Sequence, residues 1–290
     1  MKVCILGANG MLGNALMYSL TSTQDYQVLG AVRNESAKQF FPPQIAKHIV
    51  TGIDAQDIAS IRDFLEVKKP DVVINSIGIV KQIDNGADPI RAIEFNAMLP
   101  HQLSKICQSI GTRLIHISTD CVFSGKKGAA YLESDSPDPV DLYGRTKLLG
   151  ELGDAPHELT LRTSYIGNEF ESTNGLLEWF LAQNGPISGY TKAIYSGLPT
   201  VILADLIRDQ VLKIPQLHGL YHVSSSPISK YNLLNLVATV FEKNIIINPD
   251  DRLTIDRSLD STRFKDATRF VAPSWERMIE KMHQDRIAHV

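Results

Sequence analysis

No stretch of the 290 residues approaches the roughly 20 consecutive apolar residues of a membrane span, so no spanning helix is expected. Basic excess is absent too: 29 Lys and Arg stand against 32 Asp and Glu, a net charge of −3. That removes the charge signature of a nucleic-acid or anionic-membrane partner. Cysteine is scarce. Cys4, Cys107 and Cys121 are odd in number and lack the paired spacing of a metal site, and two fall in or at the ends of expected strands. Buried thiols in a reducing compartment account for them. Internal repeats, heptads and low-complexity tracts are missing, and no signal-peptide layout precedes the first strand. The expectation is a soluble cytoplasmic protein, 43% hydrophobic and 21% charged, with length for one large domain or two modest ones.

What is present concentrates in the first twenty residues, MKVCILGANGMLGNALMYSL. The apolar run Lys2–Leu6 suits a strand buried on both faces. After the glycines, Leu12, Ala15, Leu16 and Leu20 recur at the three- and four-residue steps of a helix face. Strand, glycine turn and helix together form the opening of a dinucleotide-binding domain. Gly7 permits the sharp turn, Gly10 lets the backbone approach a pyrophosphate, and Gly13 allows the helix to pack closely on the strand. Asn9, Met11 and Leu12 complete this cofactor-binding turn, and the helix N-terminus offers free N–H groups to the phosphates.

A second strand over 26–32 ends at Arg33, about 20 residues past the turn, where dinucleotide sites read the adenosine ribose. An acid there would accept from a 2′-hydroxyl; arginine pairs instead with a 2′-phosphate, so NADP(H) is favoured with NAD(H) allowed. A short strand over 49–54 ends at Asp54, placed to neighbour the adenine. A helix over 57–67 and a central strand over 72–74 follow. Ser76, Ile77 and Gly78 leave room beside a cofactor, and a helix over 87–110 carries Asn96, a polar residue in a crowded setting that needs a partner. The strand 113–117 runs into Ser118, Thr119 and Asp120, at the carboxyl end where open α/β sheets bind ligands. His116 on that strand is expected to be a packed core residue. Residues 126–139 have loop composition. Strand 159–162 follows the next helix; beyond 167 the alternation loosens, with helices expected over 175–183, 199–213, 230–242 and 275–284 and strands over 219–224 and 244–248. The fold class is α/β: a Rossmann-type doubly wound parallel sheet over 1–167, then a smaller mixed α/β substrate-binding region over 168–290, some of it returning to the first domain.

Hydride transfer to a carbonyl requires a proton for the developing alkoxide. Tyr143 and Lys147 stand at i and i+4 of a helix and so share one face. A lysine ammonium nearby lowers a phenol's pKa from about 10, and a hydroxyl such as Thr119 can hold the carbonyl oxygen. Thr119, Tyr143 and Lys147 are the expected catalytic set, with no metal.

GANGMLG at 7–13, STDCVFSG at 118–125, YGRTK at 143–147 and LRTSYIG at 161–167 resemble the extended short-chain dehydrogenase/reductases, which use the G-x-x-G-x-x-G spacing. Within them, STD-x-VF-x-G followed by YGxxK is similar to the dTDP-4-dehydrorhamnose reductase group. The resemblance implies NAD(P)H-dependent reduction of a 4-keto group on a dTDP- or UDP-linked 6-deoxy sugar, a surface-polysaccharide precursor. It makes Tyr143 the general acid and gives Lys147 the nicotinamide ribose. Thr119 takes the carbonyl oxygen, and Asp120 orders the site. Lys81, Tyr190, Lys192 and Tyr195 are candidate substrate contacts. Two departures stand out: Cys121 replaces the motif's usual aromatic, and 186–202 do not match the corresponding stretch. An epimerase of the same superfamily, or an NADP-binding regulatory subunit without turnover, are the alternatives. The partner expected is a nucleotide sugar, with neither nucleic acid nor membrane; a homodimer is allowed.

Overall fold

The computed structural model describes residues 1–79, 88–170 and 175–289. The first part alternates strand and helix: β1 (Lys2–Leu6), α1 (Met11–Thr21), β2 (Gln27–Ala31), α2 (Pro43–Ala46), β3 (Ile49–Val50), α3 (Ile58–Lys68), β4 (Val72–Asn75), α4 (Pro89–Ala92), α5 (Leu99–Ser109), β5 (Arg113–Thr119), α6 (Leu142–Leu149) and β6 (Glu158–Thr163). Shorter elements follow: β7 (Tyr165–Ile166), α7 (Leu176–Ala182), β8 (Ile187–Tyr190), β9 (Ala193–Tyr195), β10 (Leu198–Pro199), α8 (Thr200–Asp209), β11 (Gly219–His222), β12 (Ile228–Ser229), α9 (Lys230–Val240), β13 (Ile247–Asp250), β14 (Ile255–Asp256), α10 (Thr262–Thr268) and α11 (Trp275–His289).

Seven strands pair in parallel in the order β11-β6-β5-β4-β1-β2-β3. The order reverses between β1 and β4, which opens a crevice at their carboxyl ends and confirms the doubly wound α/β class. Successive side chains of a strand point to opposite faces. Val3, Ile5, Val72, Ile74, Ile115 and Ile117 therefore enter one core with α1 and α8, while Cys4, Leu6, Val73 and Leu114 enter the other with α3 and α5. Burial on both faces explains why these strands read as unbroken apolar runs. Burial of α5 against the second core likewise raises the pKa of its Cys107 thiol to about 12.

The glycine turn is fixed by contact. Gly7 has φ +78°, and a Cβ on Gly13 would lie 2.1 Å from the Gly7 carbonyl oxygen and 2.9 Å from Ala8 Cα. Only hydrogen at position 13 lets α1 start this close to β1.

The helix expected over 87–110 is interrupted. Between α4 and α5 the residues Ile93–Met98 form a π-helical turn. Pro100 has no N–H to return to the carbonyl of Asn96, four residues before it, so the regular ladder cannot close there. Three strand boundaries also differ from expectation. β3 stops at Val50, and Asp54 lies beyond it in a turn; β13 begins three residues later than the sequence suggests. β5 runs on through Ser118 and Thr119, so the polar trio starts inside the strand.

Past residue 167 the chain does two things. β11 adds to the main sheet beside β6, and α8 packs along α1. The remainder builds three small sheets, β10-β7, β12-β9-β14 and β13-β8, above the carboxyl edge. Among the described residues no helix is long and apolar enough to cross a membrane. Beneath this layer lies a buried polar network: Ser118 donates to Glu151 (2.7 Å), Arg162 grips Glu151 with two bonds of 2.7 Å, and Arg162 meets His222 Nε2 at 3.3 Å. Burial, then the Arg162 charge, lowers the His222 pKa to about 4.

Two outcomes follow from this packing. Gly13→Ala forces the α1–β1 junction apart and lowers stability by about 1–3 kcal/mol in denaturant titration. His222 is held neutral, so the unfolded chain takes up a proton that the fold refuses. Stability is complete above about pH 6.5 and falls by about 1.4 kcal/mol per pH unit from this residue as pH drops toward 4. Melting temperatures across that range, in wild type and His222→Gln, test the slope: the variant's should be shallower.

Candidate active site

A cavity of about 610 Å³ opens above the carboxyl ends of β1, β4 and β5, roofed by the small sheets. One wall carries Met11 and Ser76–Gly78; the floor carries Ile117–Cys121; Tyr143 and Lys147 rise from α6; the roof brings Tyr190, Tyr195, Lys230 and Arg257. The three expected catalytic residues, far apart in sequence, meet here.

Helix α6 is placed by small groups. Asp141 caps it, accepting from the Gly144 N–H at 2.8 Å. A Cβ on Gly144 would sit 2.2 Å from the Cys121 carbonyl oxygen, so the helix lies directly on the turn that ends β5. Lys147 then reaches inward and donates to the Ile117 carbonyl at 2.6 Å, with 4% of its surface exposed. Burial lowers its pKa to about 8, partly offset by Glu151.

Thr119 Oγ1 accepts from the Cys121 N–H at 3.1 Å and donates to Asp120 at 3.2 Å. The Tyr143 phenol departs from the sequence expectation: its pKa is raised well above the ordinary value, by burial first, then by Tyr165, Cys121 and Asp120. Only hydrogen bonding with Thr119 pulls it down. The lysine that was to lower it is directed at the Ile117 carbonyl instead. Tyr143 is thus held as a proton-bearing phenol. Asp120 is also raised by burial, opposed by Arg257, Lys230 and its bonds to Thr119 and Cys121.

The cofactor-side residues divide. Met11, Ser76, Ile77, Gly78, Ser118, Tyr143 and Lys147 line the cavity. Gly7, Asn9, Gly10 and Gly13 form the turn beneath α1, whose N-cap residue Gly10 makes no side-chain capping bond. A Cβ on Gly10 would find the Gly7 carbonyl oxygen at 3.4 Å as its nearest neighbour and otherwise project into open space. An eleven-residue helix with a glycine N-cap above a glycine-rich turn suits a pyrophosphate. Leu12 is buried in the core behind it, and Arg33 stands exposed just past β2.

Three of the expected cofactor residues also hold partners within the chain. Asn96 is fully buried: its Oδ1 accepts from the Ile79 N–H (2.9 Å), and its Nδ2 donates to the Ile79 carbonyl (2.9 Å) and Thr146 (3.2 Å). It braces the cavity wall against α6, with both of its amide N–H groups engaged. Asp54 accepts from the Gln56 N–H within its own turn, and the Ser118 hydroxyl is committed to Glu151.

On the substrate side, Tyr190 and the buried Tyr195 line the cavity, whereas Lys192 points away into an exposed pair with Asp251. Lys81 lies outside the described residues. The sequence reading missed Lys230, Arg257 and Trp179, which line the cavity from α9, the segment after β14 and α7. Lys230 Nζ sits 4.2 Å above the Tyr195 ring, and Arg257 Nη1 donates to Cys121 Sγ at 3.3 Å. Arg257 Nε is buried, with no hydrogen-bond partner among the described residues. Nothing in local spacing marks these residues, since they reach the site only through the chain's return; the cysteine at position 121 was the one hint.

Comparisons with known proteins agree with this geometry. A probable low-salt glycan biosynthesis reductase of Haloferax volcanii is 30% identical over 180 residues, 61% of this chain and 57% of that protein, so the chain spans little more than half its length. A dTDP-4-dehydrorhamnose reductase of Shigella flexneri is 25% identical over 97% of both chains. The crystal structure of dTDP-4-dehydrorhamnose reductase from Bacillus anthracis in complex with NADP superposes with a TM-score of 0.79, covering 98% of this chain and 99% of that one at 21% identity, a likeness of fold. The family model of the RmlD substrate binding domain matches residues 1–287, and the chain belongs to that family.

Proposed function

We propose that the protein is an NADPH-dependent reductase of a nucleotide-linked 4-keto-6-deoxy sugar, working in the cytoplasm on a free substrate. The observation that carries this reading is the convergence of Thr119, Tyr143 and Lys147 on one cavity that Met11, the first residue of α1, also lines. The near full-length relatives named dTDP-4-dehydrorhamnose reductase support it; NADP in the Bacillus anthracis complex is consistent with NADP(H) as the favoured cofactor, and NAD(H) stays possible. Residues 1–167 supply the cofactor half and 168–290 most of the substrate half.

The turn Gly7–Gly13 and the N-terminus of α1 would hold the cofactor's pyrophosphate, with Arg33 toward the adenosine phosphate and Ser76–Gly78 along its flank. Bound there, the cofactor supplies hydride. The chain's own residues manage the oxygen and the proton. Thr119 holds the substrate carbonyl by its hydroxyl, and Tyr143 gives up the phenolic proton as the carbonyl oxygen gains charge. A phenol kept protonated by burial is in the form that reduction requires.

Lys230 and Arg257 meet the remaining need, since a nucleotide sugar carries a diphosphate that demands cations once it leaves water. Arg257 lines the cavity wall beside Cys121. The small thiol at 121 leaves space for this guanidinium where the motif's aromatic would stand. That substitution, with the unmatched 186–202, keeps dTDP- and UDP-linked sugars together as the substrate class.

Purified protein should oxidise NADPH when given one of a panel of dTDP- and UDP-linked 4-keto-6-deoxy sugars generated in place; binding of NADPH with no oxidation on any of them would favour a regulatory subunit. Tyr143→Phe should lose about 10²–10⁴-fold in kcat while retaining NADPH affinity. Turnover within a few-fold of wild type would remove Tyr143 from its role. Arg257→Ala should raise KM for the nucleotide sugar about tenfold or more, with a smaller effect on kcat. An unchanged KM would take Arg257 out of the substrate site.

A further inference from the structure

His116 sits behind the catalytic lysine, fully buried in β5, and the reaction as described does not use it. It is in register with Asn75 of β4, also fully buried. Asn75 Nδ2 and His116 Nδ1 are 3.2 Å apart, and His116 Nε2 lies 3.5 Å from Lys147 Nζ. The backbone fixes the direction of this chain. The Ile77 N–H points at Asn75 Oδ1 from 3.1 Å, so that atom is the acceptor and the amide nitrogen faces the imidazole. Nδ1 must then accept, and a neutral imidazole accepting at Nδ1 carries its proton on Nε2. A second proton has no place on Nδ1, which already faces an N–H donor.

We propose that His116 is a positioning residue for Lys147, its N–H locked on Nε2 by Asn75 and Ile77 and aimed at the lysine nitrogen so as to stabilise the neutral amine. The proposal rests on the reading of Tyr143 and Lys147 as the proton-handling pair. In that reaction the phenolic O–H bond of Tyr143 breaks as its proton passes to the carbonyl oxygen, while the electron pair on carbon comes from the reduced nicotinamide. The phenolate is restored by a proton from Lys147, whose N–H bond breaks and leaves a lone pair on Nζ. His116 Nε2–H stands beside that lone pair, and Lys147 Nζ retains its bond to the Ile117 carbonyl. Solvent entering the cavity returns the proton to the amine.

The surrounding charges agree. Lys147 faces Glu151, just beyond the end of its own helix, and His116 from β5; His116 also feels His101 of α5. Tyr143 faces Asp120, Cys121 and Tyr165. Burial holds His116 well below the ordinary histidine range, helped by Lys147 and His101, and draws Lys147 down to about 8. An ammonium donor strengthened in this way passes its proton more readily, and a histidine unable to take one cannot divert it.

The test is long-range ¹H–¹⁵N correlation spectroscopy of the full chain with ¹⁵N-labelled histidine, without cofactor, from roughly pH 5 to 9. The His116 signals, identified by their loss in His116→Gln, should show the neutral Nε2–H pattern throughout, with one inflection near pH 8 that disappears in Lys147→Met. Asn75→Asp places an acceptor opposite Nδ1. It should move the proton to Nδ1 and raise the inflection by a pH unit or more, with the alkaline fall in turnover following it. A wild-type Nδ1–H pattern, or protonation of His116 above about pH 6, overturns the proposal even if Asn75→Asp does not fold. The expected tautomer with no NADPH oxidation on any sugar would leave the lock standing and overturn the reaction it serves.

Discussion

The structure depends on a lysine side chain carried into the interior at the end of a β-strand. Lys147 leaves α6, passes into the floor of the cavity and bonds the Ile117 carbonyl, almost wholly out of water. An unpaired ammonium at such depth would be prohibitive. The molecule tolerates it by three means: the carbonyl, the field of Glu151, and a pKa low enough that the charge is readily shed. Each depends on something further away. Glu151 is held by Arg162 and Ser118, the helix is seated by Gly144 on the Cys121 carbonyl, and Asp141 caps its first turn. The cavity floor, the polar network beneath it and the placement of α6 are thus one arrangement.

Much of this was legible in the sequence because much of it is local. A glycine turn between a strand and a helix, a polar trio at a strand's end, and a tyrosine and lysine one helical turn apart are patterns within a few residues of one another, and periodicity places each on its element. The doubly wound sheet follows from the alternation of those elements. The roof was harder. Lys230, Arg257 and Trp179 lie scattered along a stretch of short strands, and their common direction is set by how three small sheets stack, which no local spacing encodes. Asn96 and Ser118 were legible as polar residues in demanding places. Which partners they find was not, because Ile79 and Glu151 come to them through tertiary contact.

The direction of the phenol's pKa shows the same division. Chemistry alone argued that a neighbouring lysine would lower it. The fold gives Lys147 another acceptor and surrounds Tyr143 with Asp120, Cys121 and Tyr165, so burial prevails. The expected residues do share one cavity, but the direction of the phenol's shift differs, because it depends on where a flexible side chain ends. At position 121 the reverse holds: an unusual residue, noted only as a departure, admits the Arg257 guanidinium and changes the character of the pocket wall.

The return of the chain to its own sheet has a consequence for how the molecule can be divided. β11 covers the outer edge of β6 along Leu159–Arg162, and α8 covers the apolar face of α1. A fragment ending near residue 167 would keep the glycine turn, Thr119, Tyr143 and Lys147. It would also leave β6 as an unprotected sheet edge beside an uncovered hydrophobic helix, the two features most prone to recruit another chain. The first 167 residues are therefore no autonomous module to which a roof has been appended, and any division of this chain would have to keep β11 and α8 with them.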